Sequence, residues 1–158
     1  SPPTHTGLKN VALFATPATV SSGAFERELK FRARDVEVIG EACVGLVAAI
    51  EEGDTLGAEA LVDAHVATLL KTLPNPQAAV LGCTHYPLVE ERFRAALPKS
   101  TRILVQPDIV ADSLSDYLRR HPRFVARGGV SYLTSGNPKE VSRSAERFLG
   151  HSLTFNAA

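Results

Sequence analysis

Residues 78–89 read AAVLGCTHYPLV, and the architecture follows from how this run divides. Residues 78–82 are a short apolar segment of the kind that forms a buried strand. They deliver Cys83 and Thr84 to the strand's carboxyl end, and residues 88–97 then take up a helical pattern. A strand that passes directly into a helix is the repeating element of a parallel sheet.

The same passage recurs on either side. Residues 10–15 (NVALFA) are a second apolar run, followed by Thr16-Pro17 and a polar, charged stretch that continues to Arg34. This reads as a buried strand entering a helix, with Thr16 as N-cap and Pro17 at the first helical position. Residues 36–40 (VEVIG) are another strand, and residues 44–52 a short helix that Gly53 stops. Residues 58–73 space Leu61, Val62, His65, Val66, Leu69 and Leu70 by threes and fours, an amphipathic helix ended by Pro74. Downstream, residues 102–105 read as a strand, 108–120 as a helix closed by Pro122, 130–133 as a short strand, and 139–149 as a helix capped by Gly150. The expected fold class is α/β, a parallel sheet flanked by helices on both faces. In such a sheet the ligand site lies beyond the carboxyl ends of the strands. Ala15-Thr16, Glu41-Ala42-Cys43 and Cys83-Thr84-His85 all fall at such ends, so one rim can collect them.

Composition excludes several classes of function. The 158 residues carry 17 basic and 17 acidic side chains, so no strong field draws the chain to nucleic acid or to an anionic membrane. Residues 1–79 are net −4 and residues 80–158 net +4, an asymmetry too mild to name a partner. Two cysteines, Cys43 and Cys83, are too few for a secreted disulfide framework and fit a reducing cytoplasm. No long apolar run or signal-peptide pattern is present.

Cys83 is the residue with chemical promise. At a strand end, before a threonine able to cap the next helix, it stands where backbone N–H groups and the helix dipole favour an anion. A lowered thiol pKa is expected there, which makes Cys83 a base or nucleophile, with His85 two residues on and able to turn to the same rim. The same pattern also fits an inert, buried cysteine at the end of an apolar strand. Zinc is not expected, because Cys-x-His supplies two ligands and no second pair is evident. A Cys43–Cys83 disulfide is not expected either.

Residues 81–89, LGCTHYPLV, resemble the second-cysteine signature of glutamate racemases, cofactor-independent enzymes that supply D-glutamate for peptidoglycan. The likeness continues along the chain in order. Residues 14–20 (FATPATV) are similar to the family's TPAT segment, and residues 38–43 (VIGEAC) with 45–47 (GLV) to its second strand and loop. Residues 105–114 with 116–118, 132–136, and 147–150 are similar to its carboxyl-terminal helices and strand.

The resemblance implies a reaction in which two cysteines stand on opposite faces of the substrate Cα, one thiolate removing a proton and the other thiol delivering one. It implies no pyridoxal phosphate, metal or nucleotide cofactor, a glutamate substrate, a cytoplasmic location and a homodimeric parent enzyme. Carried over residue by residue, Cys83 becomes the acid/base facing L-glutamate and His85 its assisting group. Thr84 binds the substrate carboxylate through its hydroxyl and backbone N–H, and Thr16 and Thr19 line the pocket. Glu51 matches a carboxylate near the active site, with Glu52 one place away. Cys43 has no catalytic counterpart and reads as a core or loop residue, and it is followed by Val44 where the family usually has proline. His65 belongs to the apolar stripe of its helix, and His5, His121 and His151 lie near termini or turns; none receives a role.

The family's Asp-Ser-Gly turn and its Cys-Asn-Thr segment do not occur, since Ser22-Gly23 and Ser135-Gly136 lack the preceding aspartate. The resemblance therefore implies the carboxyl-terminal part of a racemase with half of the catalytic pair. Residues 8–100 would be its second domain, carrying Cys83, and residues 101–158 a segment that normally completes the first. Apolar faces exposed on that segment are expected to favour association. Alone, the chain is expected to be inactive or nearly so, because a single acid/base group supplies only about 10²–10⁴-fold. Three other readings stay open: an aspartate or other racemase of the same superfamily, a non-catalytic fragment binding a small anion or a partner around Thr84, and a thiol hydrolase using Cys83 and His85.

Overall fold

β1 (Asn10–Ala15) is the strand around which the fold is organised. In a computed structural model, which describes residues 7–33, 35–125 and 128–158, it pairs in parallel with β2 (Glu37–Ala42) on one side and β3 (Ala78–Leu81) on the other. β4 (Arg102–Val105) follows β3, also in parallel, so the order is β2-β1-β3-β4. Val11 to Ala15 are all buried, as the inner strand of a sheet covered on both faces must be.

Alternation along β1 assigns each residue to a face. Val11, Leu13 and Ala15 join Val36, Val38 and Ala78 in one cluster, against which Val20, Phe25 and Leu29 pack from α1 (Pro17–Ser22) and α2 (Ala24–Arg32). Phe14 points the other way, its ring centroid 5.0 Å from that of Phe93 on α5 (Glu90–Ala96). α3 (Leu46–Glu52) and α4 (Thr55–Thr72) complete that second layer, burying Leu46, Ala49, Ile50, Ala58, Val62, Val66 and Leu69. Each large side chain so buried contributes roughly 1.5–3 kcal/mol.

Local chemistry explains the boundaries. Thr16 caps α1, accepting a hydrogen bond from the Thr19 backbone N–H at 3.4 Å. The helix expected to run on towards Arg34 instead breaks at Gly23, whose φ of 61° is open to glycine and strained for other residues. Arg34 itself, like His5, lies outside the described residues. Asp54 caps α4, and Gly53 ends α3 at φ 75°. The helix expected over residues 88–97 begins as a 3-10 turn, Tyr86–Val89, and becomes α-helical at Glu90. Pro87 pre-sets the φ of that turn.

The chain divides into two compact units, one up to Ala111 and one from Asp112. The boundary expected at residue 100 falls in front of β4, yet β4 completes the sheet, because Arg102–Val105 finds its hydrogen-bond partners on β3. α6 (Gln106–Arg120) runs across the division. The second unit continues through a 3-10 turn, Pro122–Phe124, then β5 (Tyr132–Thr134), α7 (Pro138–Leu149) and β6 (Phe155–Ala157). β5 and β6 pair in parallel, and Asn137 caps α7 through the N–H groups of Lys139 and Glu140. Neither α6 nor α7 buries a residue, and Ile109, Val110, Leu114, Leu133 and Leu149 are exposed. Among the described residues no helix is long and apolar enough to cross a membrane.

Candidate active site

The strand order places a change of direction at β1, since the chain leaves it for β2 on one side and later returns to β3 on the other. Open α/β sheets bind ligands in the crevice such a reversal creates at the carboxyl edge. Phe14 pairs with Leu81, and the Gly82 N–H continues the ladder by donating to Phe14 O at 2.8 Å. The segments 15–16 and 82–83 therefore emerge side by side. Gly82 leaves room for this closeness: a Cβ there would stand 2.9 Å from Leu13 Cδ1, 3.2 Å from Ala15 Cβ and 3.3 Å from the Phe14 carbonyl oxygen.

Beyond Gly82 the half-buried Cys83 begins a chain of polar contacts. Its Sγ lies 3.9 Å from His85 Nδ1, and His85 Nε2 lies 2.9 Å from Glu51 Oε1. Thr84 Oγ1 is 3.5 Å from the same Nδ1. An ionised Glu51 accepts a proton-bearing Nε2, which leaves the Nδ1 lone pair directed at the thiol and hydroxyl. Cys83 can hand its proton to that nitrogen, and the carboxylate stabilises the imidazolium that results. Glu51, rather than Glu52, makes the contact because it occupies the face of α3 turned to residue 85.

Thr16 and Thr19 sit at the end of β1 and in the first turn of α1, their hydroxyl oxygens 3.1 Å apart. Thr16 serves as N-cap while remaining at the rim. Thr84 does not cap the following helix: the residue before the 3-10 turn is His85, and no side chain caps it. An α-helical N-terminus at Cys83, expected from the sequence, is therefore not part of this site.

Cys43 lies behind the rim. It is 2% exposed, its N–H donates to Ala15 O at 2.9 Å, and burial pushes its thiol up from 9.0 to about 12. Tyr86, fully buried, shares this region. Its hydroxyl makes no hydrogen bond of good geometry, and burial, together with the neighbouring thiols, raises its ionisation further above the ordinary phenol range. Sequence reasoning gave Tyr86 no place in the core, where its ring lies 5.9 Å from that of Phe93. It also passed over a pairing of His65 with Glu41, whose signal was an ionisable residue at each of two shielded positions.

No family model matches the chain. A glutamate racemase of Ruegeria pomeroyi is 56% identical over 158 residues, covering all of this chain and 59% of that protein. The chain thus spans about three fifths of the length of the curated relatives it matches. Among solved structures, a glutamate racemase isoform from Bacillus anthracis superposes with a TM-score of 0.83 at 25% identity, over 95% of this chain and 57% of that one. The Francisella tularensis glutamate racemase, solved with D-glutamate, has the same fold, with a TM-score of 0.78 at 24% identity over 96% of this chain and 57% of its own.

Proposed function

We propose that this chain, which belongs to the glutamate racemase family, supplies one of the two acid/base faces of an enzyme that interconverts L- and D-glutamate. The observation that carries the reading is the continuous contact from Cys83 through His85 to Glu51 at the carboxyl edge of the sheet. In the forward direction the Cys83 thiolate takes the Cα proton of L-glutamate and becomes a thiol. The electron pair left on Cα is delocalised into the substrate carboxylate, and a second thiol on the opposite face returns a proton to Cα. Thr84, Thr16 and Thr19 supply hydroxyl groups around the same rim to hold the substrate's polar groups. His85 takes and returns the Cys83 proton between turnovers, and Glu51 orients the ring. No cofactor enters this scheme.

The second thiol has no source among the two cysteines here, since Cys43 is buried and holds its proton strongly. We accordingly assign the other face to sequence that the longer relatives carry, and infer that the chain beyond β4, residues 106–158, folds fully only against it. The exposed apolar residues of α6 and of the second unit support this. The isolated chain is then inactive, or nearly so, as a racemase. The parent enzyme would act as a cytoplasmic homodimer providing D-glutamate for peptidoglycan.

Incubation with L- and D-glutamate in D₂O, followed by NMR of Cα deuterium incorporation, tests the site directly. Exchange that depends on Cys83, as judged with Cys83→Ala, and that is confined to the L enantiomer supports the assignment of face. Exchange equal in the variant would refute the role of Cys83, and a preference for aspartate would move the assignment to a sister activity. Racemisation restored by adding back the relatives' remaining segment completes the test; none on restoration refutes the parent activity.

A further inference from the structure

His65 lies in the inward stripe of α4, yet both its ring nitrogens are engaged. Nδ1 is 2.8 Å from Glu41 Oε1, and Nε2 is 3.2 Å from the Val44 carbonyl oxygen. The pair is largely shielded, with side-chain exposures of 15% for His65 and 18% for Glu41. A carbonyl oxygen and an ionised carboxylate can only accept. Both bonds therefore form together only when both ring nitrogens carry hydrogen. With one hydrogen, one of the two bonds is lost: a bare Nδ1 would face the part-buried Glu41 carboxylate, or a bare Nε2 the more open Val44 carbonyl oxygen.

One acceptor, Glu41, stands on β2, and the other, Val44, lies in the turn that leads from β2 into α3. Within it the Cys43 N–H is bound to Ala15 O and the Val44 N–H to Ala42 O, each at 2.9 Å, and Gly45 enters α3 at φ 82°. α3 in turn carries Glu51 to His85. We propose that His65 is a doubly donating imidazolium that clamps this turn onto α4, and thereby sets the angle at which α3 presents Glu51 to His85. It is a positioning residue, acting through Glu51. The inference rests on the proton-transfer reading of Cys83, His85 and Glu51.

Long-range ¹⁵N–¹H correlation spectra of the histidine-labelled chain at neutral pH test it. The expected result is hydrogen on both nitrogens of His65. Glu41→Gln, whose amide can donate to Nδ1, should return the ring to a neutral form with hydrogen on Nε2 alone. His65→Gln should displace the His85 ring signals, as Glu51→Gln should directly, while circular dichroism reports an intact fold. A bare His65 nitrogen in the wild-type chain overturns the proposal, as do His85 signals unmoved by His65→Gln in a folded protein. Should His65→Gln fail to fold, the wild-type and Glu41→Gln spectra still decide the protonation state on which the clamp depends. Failure of the underlying reading is separately visible, as Cα exchange indifferent to Cys83→Ala whatever the His65 spectra show.

Discussion

Treating the folded chain at about pH 8 with an excess of a chromogenic disulfide reagent is expected to modify Cys83 and leave Cys43 untouched on the same timescale. The attacking species is the thiolate, so reactivity follows ionisation and access together. Burial moves Cys43 from 9.0 to about 12 and leaves it 2% exposed. At about pH 8 that shift alone lowers its thiolate fraction roughly 10³-fold, before counting the absence of a path for the reagent. Half-buried Cys83 sits at the rim. Stopped-flow absorbance should show one equivalent in the rapid phase, none in Cys83→Ser, and two once the chain is unfolded in urea. Two equivalents released together by the folded wild type, or a rapid phase that survives Cys83→Ser, would refute the reasoning. The same shift links stability to alkali. An acid held more tightly in the fold than in the unfolded chain contributes stability that is intact below the unfolded value of 9.0 and lost as pH rises towards about 12. Denaturant titrations across that window should lose at most about 1.4 kcal/mol per pH unit from this group, and Cys43→Ala should flatten the slope.

Gly82→Ala should cost about 1–3 kcal/mol, because the added methyl group meets Leu13, Ala15 and the Phe14 carbonyl at 2.9–3.3 Å. A melting temperature unchanged within a degree would contradict the close approach of β1 and β3. In protein with the second face restored, Glu51→Gln should slow Cα exchange by roughly 10- to 100-fold, the worth of one hydrogen bond to a charged partner, and Glu52→Gln should change it little. Equal effects would return the choice between them to the open. Thr16→Ala removes the cap of α1 and should destabilise the chain by about 1 kcal/mol in a urea titration.

Much of this was legible in the residues, for reasons that differ by segment. β1 and β3 are continuous apolar runs, and α3, α4 and α7 end at Gly53, Pro74 and Gly150, so hydrophobic period and breakers agreed there. The interruption at Gly23 was hidden because polarity runs unbroken across it, and only the left-handed backbone reveals the stop. β6 escaped notice because Phe155–Ala157 is three residues with a single large apolar side chain, defined by its pairing with β5. The rim was recognisable from strand ends alone, and so was the company of Cys83, His85 and Glu51 from resemblance. Which oxygen meets which nitrogen was not, because residues 51 and 85 are brought together by two separate helical turns packed on one sheet. The partner of His65 was hidden for a related reason: the histidine sits in the apolar stripe of its helix, as expected, and Glu41 comes from 24 residues away.

The position of β1 between β2 and β3 also bears on how the molecule comes into being. Its seam with β3 joins residues 67 apart, as in the contact of Gln77 with Asn10, and the His85–Glu51 contact, 34 apart, waits on the same docking event. Closing so long a loop precedes any reward from the contacts it makes, which slows the search for the native pairing. On a ribosome, β1, α3 and β3 would all have to emerge before the reactive edge could exist at all. Until then Cys83 is simply a thiol on a nascent chain, and the acid/base pair is a late product of folding.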